Sequence, residues 1–297
     1  MGGNGLKEYA LALEIENCKR ETPFAFSEHS SIGCGGFART AYYPETVESV
    51  KTLVHTLKEQ EIPFYVVGNM TNVLPPDGEL RRVLIVTKRL VQTDVENGYF
   101  SAGVSSGTLL RICRSVRKSG AEFLAGIPCT LGGALYMNAG AAGVYISEIV
   151  ESVTVLRGEN ILVLPVRDCH YAYKTSVFMQ NDDVILGAKL RLKGADDETI
   201  KKETNYFLER RNHLPKGKSM GCVFKNPQGA VAGKLIDGAG IKGLRIGGAK
   251  VSEEHANFII NDKNATSAEI RTLIGIIKNA VFAQYKIRLQ EEIQYLT

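Results

Sequence analysis

The stretch PETVESVKTLVHTLKEQEIPFYVVG, Pro44 to Gly68, constrains the fold more than any other part of the chain. Val47, Val50, Leu53, Val54 and Leu57 recur at helical spacing behind Pro44, which predicts an amphipathic helix. Phe64 to Val67 is then a compact apolar run closed by Gly68, the pattern of a buried strand. With the apolar residues before Pro44 these make a β-α-β unit. RRVLIVT and GYFSAGV continue its sheet, and GTLLRICRSVRKSG predicts a second amphipathic helix closed by Gly120. The leading MGGNGLKEYALALEIENCKRE reads as a helix after a flexible start, without the layout of a signal peptide.

After Gly143 the texture changes. EIVESVTVLRGENILVLPV predicts two strands around a Gly-Glu-Asn turn, and DDVILGAKLRL a third with clear alternation. DDETIKKETNYFLERRN returns to helix, and the last third ends in a helix over TSAEIRTLIGIIKNAVFAQY and a strand-like IRLQEEIQYL. Ser267 to Glu269 resembles a helix start that falls short of a full capping box. The class is α+β, with a boundary between residues 195 and 212.

A chain of 297 residues has room for two domains, or three small ones. Its net charge of +4, with no basic run longer than Arg81-Arg82 or Lys201-Lys202, argues against nucleic acid as a partner. It suits an anionic small molecule, which needs only a few placed cations. No window reaches the roughly 18 apolar residues of a membrane span. The six cysteines are scattered without a Cys-x-x-Cys, which excludes the familiar zinc spacings and disfavours a disulfide framework. A reducing cytoplasm is the simplest reading.

Four glycine-rich stretches remain: SSIGCGGFA, VGNMTN, GIPCTLGGALYMNAGAAG and GAGIKGLRIGGA. Gly238, Gly240 and Gly243 match Gly-x-Gly-x-x-Gly in form, but a helical AGKLID precedes them and an extended LRIGGAKV follows. That is the wrong context for a dinucleotide fingerprint. VGNMTN leaves a strand with backbone N–H groups available to a pyrophosphate. GIPCTLGGALYMNAG offers small residues that let backbone lie against a planar ligand. Each loop alone also reads as simple turn chemistry; together they favour a non-Rossmann nucleotide cofactor. In GKSMGCVFKNPQG, Cys222 is either a packing residue on a short strand or a working thiol, and the stretch alone permits both.

In order along the chain, HSSIGCGGFA, GNMTN, GIPCTLGGALYMNAGAAG, YAYKTSVF, GCVFKNP, AGKLIDGAGIKGLRIGGAKVSEEHANFIIN and IRLQEEI resemble the motifs of one family. That family is the UDP-N-acetylenolpyruvoylglucosamine reductases, or MurB proteins, here in their short form. The resemblance implies a two-lobed FAD-binding fold of the vanillyl-alcohol-oxidase (PCMH) type at residues 1–200, with lobes of about 1–88 and 89–200. An α/β substrate domain at 201–297 would follow. It implies FAD, reduced by NADPH, and hydride transfer from flavin N5 to UDP-N-acetylglucosamine enolpyruvate, giving UDP-N-acetylmuramate, in a monomer of the bacterial cytoplasm. A same-fold flavin oxidoreductase with another substrate, or a paralogue that binds flavin or nucleotide without turnover, are the alternative readings.

Carried over residue by residue, the resemblance makes Cys222 the proton donor in place of the family's serine. Glu292 becomes the C-terminal glutamate, and Lys174 stands where the family has arginine. Gly68, Asn69, Met70, Thr71 and Asn72, with Gly126, Ile127, Pro128, Thr130, Gly132, Gly133, Asn138 and Gly140, are implied to hold FAD. Tyr173, Arg210, His213, Lys225, Asn226 and His255 are implied to meet substrate, with Arg210 and His213 on one helix. Met70 and Cys129 replace family glycines and would add side chains where backbone approaches the cofactor.

Overall fold

The computed structural model describes residues 13–297, so most of the helix expected at the start of the chain lies outside the described residues. Where that helix was to end, Cys18–Glu21 is instead a strand, because it zips antiparallel onto Ala41–Pro44. The described chain forms two compact units. One holds residues 13–22, Thr40–Asn69 and Arg82–Asn212, the other Pro23–Arg39, Met70–Arg81 and His213–Thr297.

In the first unit, β1 (Cys18–Glu21), β2 (Ala41–Pro44), α1 (Val47–Glu59), β3 (Phe64–Val67) and β4 (Val83–Val86) build a sheet of order β1-β2-β4-β3. Strands β2 and β3 both run parallel to β4, so α1 is the crossover of a β-α-β unit. Thr46 and Ser49 cap α1 reciprocally, and Val50, Leu53, Val54 and Leu57 are its buried face. All four residues of β4 are buried. That central place displaces β3 to the edge, where only Val67 is buried and Val66 is exposed, so the buried strand read from the sequence is an edge strand.

Five antiparallel strands follow: β5 (Thr93–Asp94), β6 (Tyr99–Ser101), β7 (Val150–Arg157), β8 (Asn160–Pro165) and β9 (Val184–Leu190), in the order β8-β7-β9-β6-β5. Central β9 is buried along nearly its whole length. Besides α1, this unit holds α2 (Ser106–Ser115), α3 (Leu131–Met137) and α4 (Asp197–Glu209). Helix α2 ends at Val116, ahead of Gly120; Arg117 already turns the chain at φ +54°.

The second unit centres on β10 (Ser219–Cys222), β11 (Arg245–Ile246), β12 (Ala249–Val251) and β13 (Phe258–Asn261), antiparallel in the order β10-β13-β12-β11. Helices α5 (Ala232–Gly238) and α6 (Ser267–Tyr285) accompany this sheet. Gly238 ends α5, and Gly247-Gly248 turns β11 into β12, so the apparent Gly-x-Gly-x-x-Gly leads from a helix into a hairpin. The two earlier segments join through short ladders. Phe37–Ala38 pairs with Phe24–Ala25 and Glu79–Leu80, and Val73–Leu74 pairs parallel with Gln294–Tyr295. The expected division at residue 200 follows the order of the chain; the compact units follow these ladders, which take residues 23–39 and 70–81 into the C-terminal unit.

Candidate active site

In the first unit the two loops expected to hold a cofactor are tied together. Asn69 Nδ2 donates to the Pro128 carbonyl at 3.1 Å, and any Cβ at Gly68 would overlap the Thr130 hydroxyl. Thr130 caps α3 by accepting from Gly133 N–H, while Leu131 and Gly132 N–H groups donate to Val104 and Ala102 carbonyls at 2.8 Å. The 126–133 loop is thereby fixed to the residues that leave β6. Cys129 sits inside this arrangement as a core residue; burial raises its thiol pKa to about 11, against the opposing hydrogen bond from Ser106. Its side chain packs into the core of the unit.

The YAYKTSVF segment is a two-residue turn with Tyr173 and Lys174 at its tip. Ala172 and Thr175 exchange backbone hydrogen bonds at 3.2 Å beneath it. Lys174 adopts φ +56°, so it stands on a turn and not along a strand. Buried Asn138, the left-handed cap of α3, donates from Nδ2 to the Ala172 carbonyl at 2.9 Å, and its Oδ1 accepts from Ser147 N–H. The Ser176 hydroxyl donates to the Tyr136 backbone carbonyl at 2.6 Å. Asn138 thus braces the Lys174 turn with the side chain assigned from sequence to the cofactor.

In the second unit the segment Val223 to Lys225 lies between two partners. Along one edge, Glu292 N–H donates to the Val223 carbonyl and Lys225 N–H to the Gln290 carbonyl, both at 2.8 Å. On the other, Cys222 pairs with Phe258, and Val223 N–H donates to the Asn257 carbonyl at 2.8 Å. Cys222 and Glu292 are therefore set one residue apart across a single backbone pairing. Asn72 secures the same place: its Nδ2 donates to the Glu292 carbonyl at 3.0 Å, and its own carbonyl accepts from Gln294 N–H at 2.9 Å. Glu291 is committed elsewhere, to Lys278 at 2.7 Å and the Tyr295 hydroxyl at 2.6 Å. Burial pushes its carboxyl up, but those hydrogen bonds outweigh it and hold the carboxyl below its usual range. The neighbouring position, Glu292, is the one whose N–H pairs with Val223, next to Cys222.

His213 and His255 approach within 6.2 Å between ring centroids. Burial lowers the pKa of His255, and His213 and Lys242 lower it further. Its Nδ1 accepts from Asn257 N–H at 3.3 Å, which places the proton of the neutral ring on Nε2. Asn226 Oδ1 accepts from Ala232 N–H at 3.0 Å at the start of α5, a structural bond for a residue expected to contact substrate. Arg210 and His213 do not share a helix: α4 stops at Glu209, Arg210 lies over the Tyr206 ring, and His213 is in the turn beyond. Met70 is buried at φ +48°, the conformation for which a glycine is the usual choice.

Two contributors were not anticipated. Arg211 packs its stem on Gly126 and donates from Nε to the Gly126 carbonyl at 3.2 Å. Asn257 holds Phe224 by both ends of its amide. The only sequence signal for Asn257 was its place in HANFIIN, and Arg211 had none beyond following a helix.

Residues 212–296 match the family model of the UDP-N-acetylenolpyruvoylglucosamine reductase C-terminal domain, and residues 38–162 that of an FAD binding domain. The chain is 36% identical to the UDP-N-acetylenolpyruvoylglucosamine reductase of Clostridioides difficile, over 96% of this chain and 95% of the relative. It is also 36% identical to that of Caldanaerobacter subterraneus subsp. tengcongensis, over 90% of each. The crystal structure of the MurB protein of Thermus caldophilus superposes with a TM-score of 0.81 at 30% identity, covering 94% of this chain and 99% of that one. The chain belongs to the MurB family. As a MurB protein it is an oxidoreductase with FAD as cofactor, acting in peptidoglycan precursor synthesis. Among the described residues no helix is long and apolar enough to cross a membrane.

Proposed function

We propose that this MurB protein reduces UDP-N-acetylglucosamine enolpyruvate to UDP-N-acetylmuramate with NADPH as reductant, and that Cys222 gives the proton. The observation that carries the reading is the pairing of Glu292 N–H with the Val223 carbonyl, which brings the C-terminal glutamate to within one residue of the partly exposed Cys222 across adjoining segments. Gly68, Asn69, Gly126, Ile127, Pro128, Thr130, Gly132 and Gly133 fit an FAD, since their loops form a preassembled backbone surface that side chains at Gly68 would spoil. Met70, Thr71, Asn72 and Gly140 are assigned to the same cofactor. When bound, FAD supplies the hydride, from its N5, to one carbon of the enol ether.

The residues of the chain then have the remaining work. Hydride addition leaves negative charge on the carboxylate side of the substrate, and Lys174 provides a cation for it. The braced turn holds that ammonium as a point charge, without the planar fork an arginine would offer. The S–H bond of Cys222 breaks as the new C–H bond forms, and Glu292 assists the transfer. Lys225, His213 and His255 offer donors to the UDP diphosphate, while Asn226 shapes the turn that presents Lys225. Tyr173 and Arg210 are assigned to substrate on the family pattern. All six cysteines are free, which suits a reducing bacterial cytoplasm.

The test is NADPH oxidation driven by the enolpyruvyl substrate in Cys222→Ser and Cys222→Ala. Serine should keep appreciable turnover, and alanine should lose about 10²-fold or more. Reduction of bound flavin by NADPH alone should be the same in both. Full turnover by the alanine variant would remove Cys222 from the role, and no oxidation by the unaltered protein would remove the substrate assignment.

A further inference from the structure

We infer that Asn257 is the positioning residue that fixes Cys222 relative to Glu292, an inference that rests on the proton-donor reading above. The ladder between β10 and β13 has its last registered pair at Cys222 and Phe258. Beyond that point the chain still has to satisfy Phe224, whose backbone is buried with its side chain. Asn257 does this with its side chain. Its Oδ1 accepts from Phe224 N–H at 2.9 Å, and its Nδ2 donates to the Phe224 carbonyl at 2.8 Å.

The primary amide therefore acts as one more peptide unit, extending the ladder by a pair where backbone no longer reaches. Its own carbonyl takes Val223 N–H, so residues 223 and 224 are both gripped from the Asn257 side. Their opposite edge carries Gln290 and Glu292 through the Lys225 and Glu292 N–H groups. Asn257 is itself 3% exposed and makes these bonds wholly inside the unit. Only an amide has both an acceptor and a donor at this reach; aspartate keeps the bond to Phe224 N–H and faces its carbonyl with a second acceptor. A strand loosened at Phe224 lets the thiol and the carboxylate drift apart, although neither is touched by the substitution.

The experiment compares the flavin-loaded protein with Asn257→Asp and Asn257→Ala at a temperature well below unfolding. Reduction of flavin by NADPH should be unchanged, while its reoxidation by the enolpyruvyl substrate should slow about 10- to 100-fold. Alkylation of Cys222 by iodoacetamide, followed by mass spectrometry, should change rate in both variants, more in alanine than in aspartate. If alanine does not fold, aspartate carries the test. Equal reoxidation and equal Cys222 alkylation in a folded Asn257 variant would overturn the inference. So would slowing of both half-reactions by the same factor, the mark of a general structural defect. The alkylation readout does not depend on turnover. If Cys222→Ala proves fully active the proton-donor reading falls, while alkylation still reports whether Asn257 sets the thiol.

Discussion

Met70 occupies a left-handed backbone position that costs an L-residue roughly 1–2 kcal/mol. Its side chain is 3% exposed, and deleting a buried side chain of this size costs about 2–5 kcal/mol. Burial wins, so Met70→Gly should lower stability by about 1–3 kcal/mol in urea unfolding despite relieving the backbone. A family pattern with glycine at this place shows the backbone requirement and hides the compensation. Cys129 gives the same lesson in reverse, since nothing in its local sequence says that the thiol turns inward. His255 makes a pH prediction. Its folded pKa is depressed, first by burial, so the neutral ring is the form that folding favours. The unfolded chain gains protons first as pH falls below about 6.5. The stability it contributes is therefore complete above that pH and is lost on falling through the folded pKa. Urea midpoints measured from pH 8 to 5 should decline below about 6.5, and less so in His255→Gln.

Helix α6 is the best-secured element of the second unit. Thr266 and Glu269 form a full capping box, and Asp77 accepts from the next two donors, Ser267 N–H at 2.6 Å and Ala268 N–H at 2.8 Å. A carboxylate here meets both orphan N–H groups and the positive end of the helix. Asp77→Ala should cost about 1–2 kcal/mol, read as a shift in the thermal midpoint, and Asp77→Asn less. The sequence showed a helix start at Ser267 to Glu269 that fell short of a full box; the box is complete because the cap is Thr266, one residue earlier. Asp77 was not visible, because a cap supplied from 190 positions away leaves no local pattern. Helices with strong periodicity, such as α1 and α4, and the β7–β8 hairpin with its Gly-Glu-Asn turn were legible for the opposite reason. Strand β3 shows the limit: four apolar residues state a strand and do not state its place in the sheet.

For the whole chain, the order of motifs was enough to give the family, and the candidate acid, Cys222, is one residue from the Val223 carbonyl that pairs with the glutamate the same motifs indicate, Glu292. The grouping of segments into units was not legible. It is decided by two-residue ladders such as Phe37–Ala38 with Glu79–Leu80, too short to carry any periodicity. Those ladders have a consequence for synthesis on the ribosome. The first unit owns no residue beyond Asn212 and can close its core while the rest of the chain is still being made. Residues 23–39 and 70–81 cannot, because Leu74 waits for Tyr295 and Asn72 for Gln294. At ordinary translation rates of roughly 5–20 residues per second that wait is on the order of tens of seconds. Phe24, Phe26, Ile32 and Leu80, all buried in the finished protein, spend it without the unit that covers them. Two early segments, rather than the chain at large, are where a nascent copy of this protein keeps apolar side chains waiting longest for their cover.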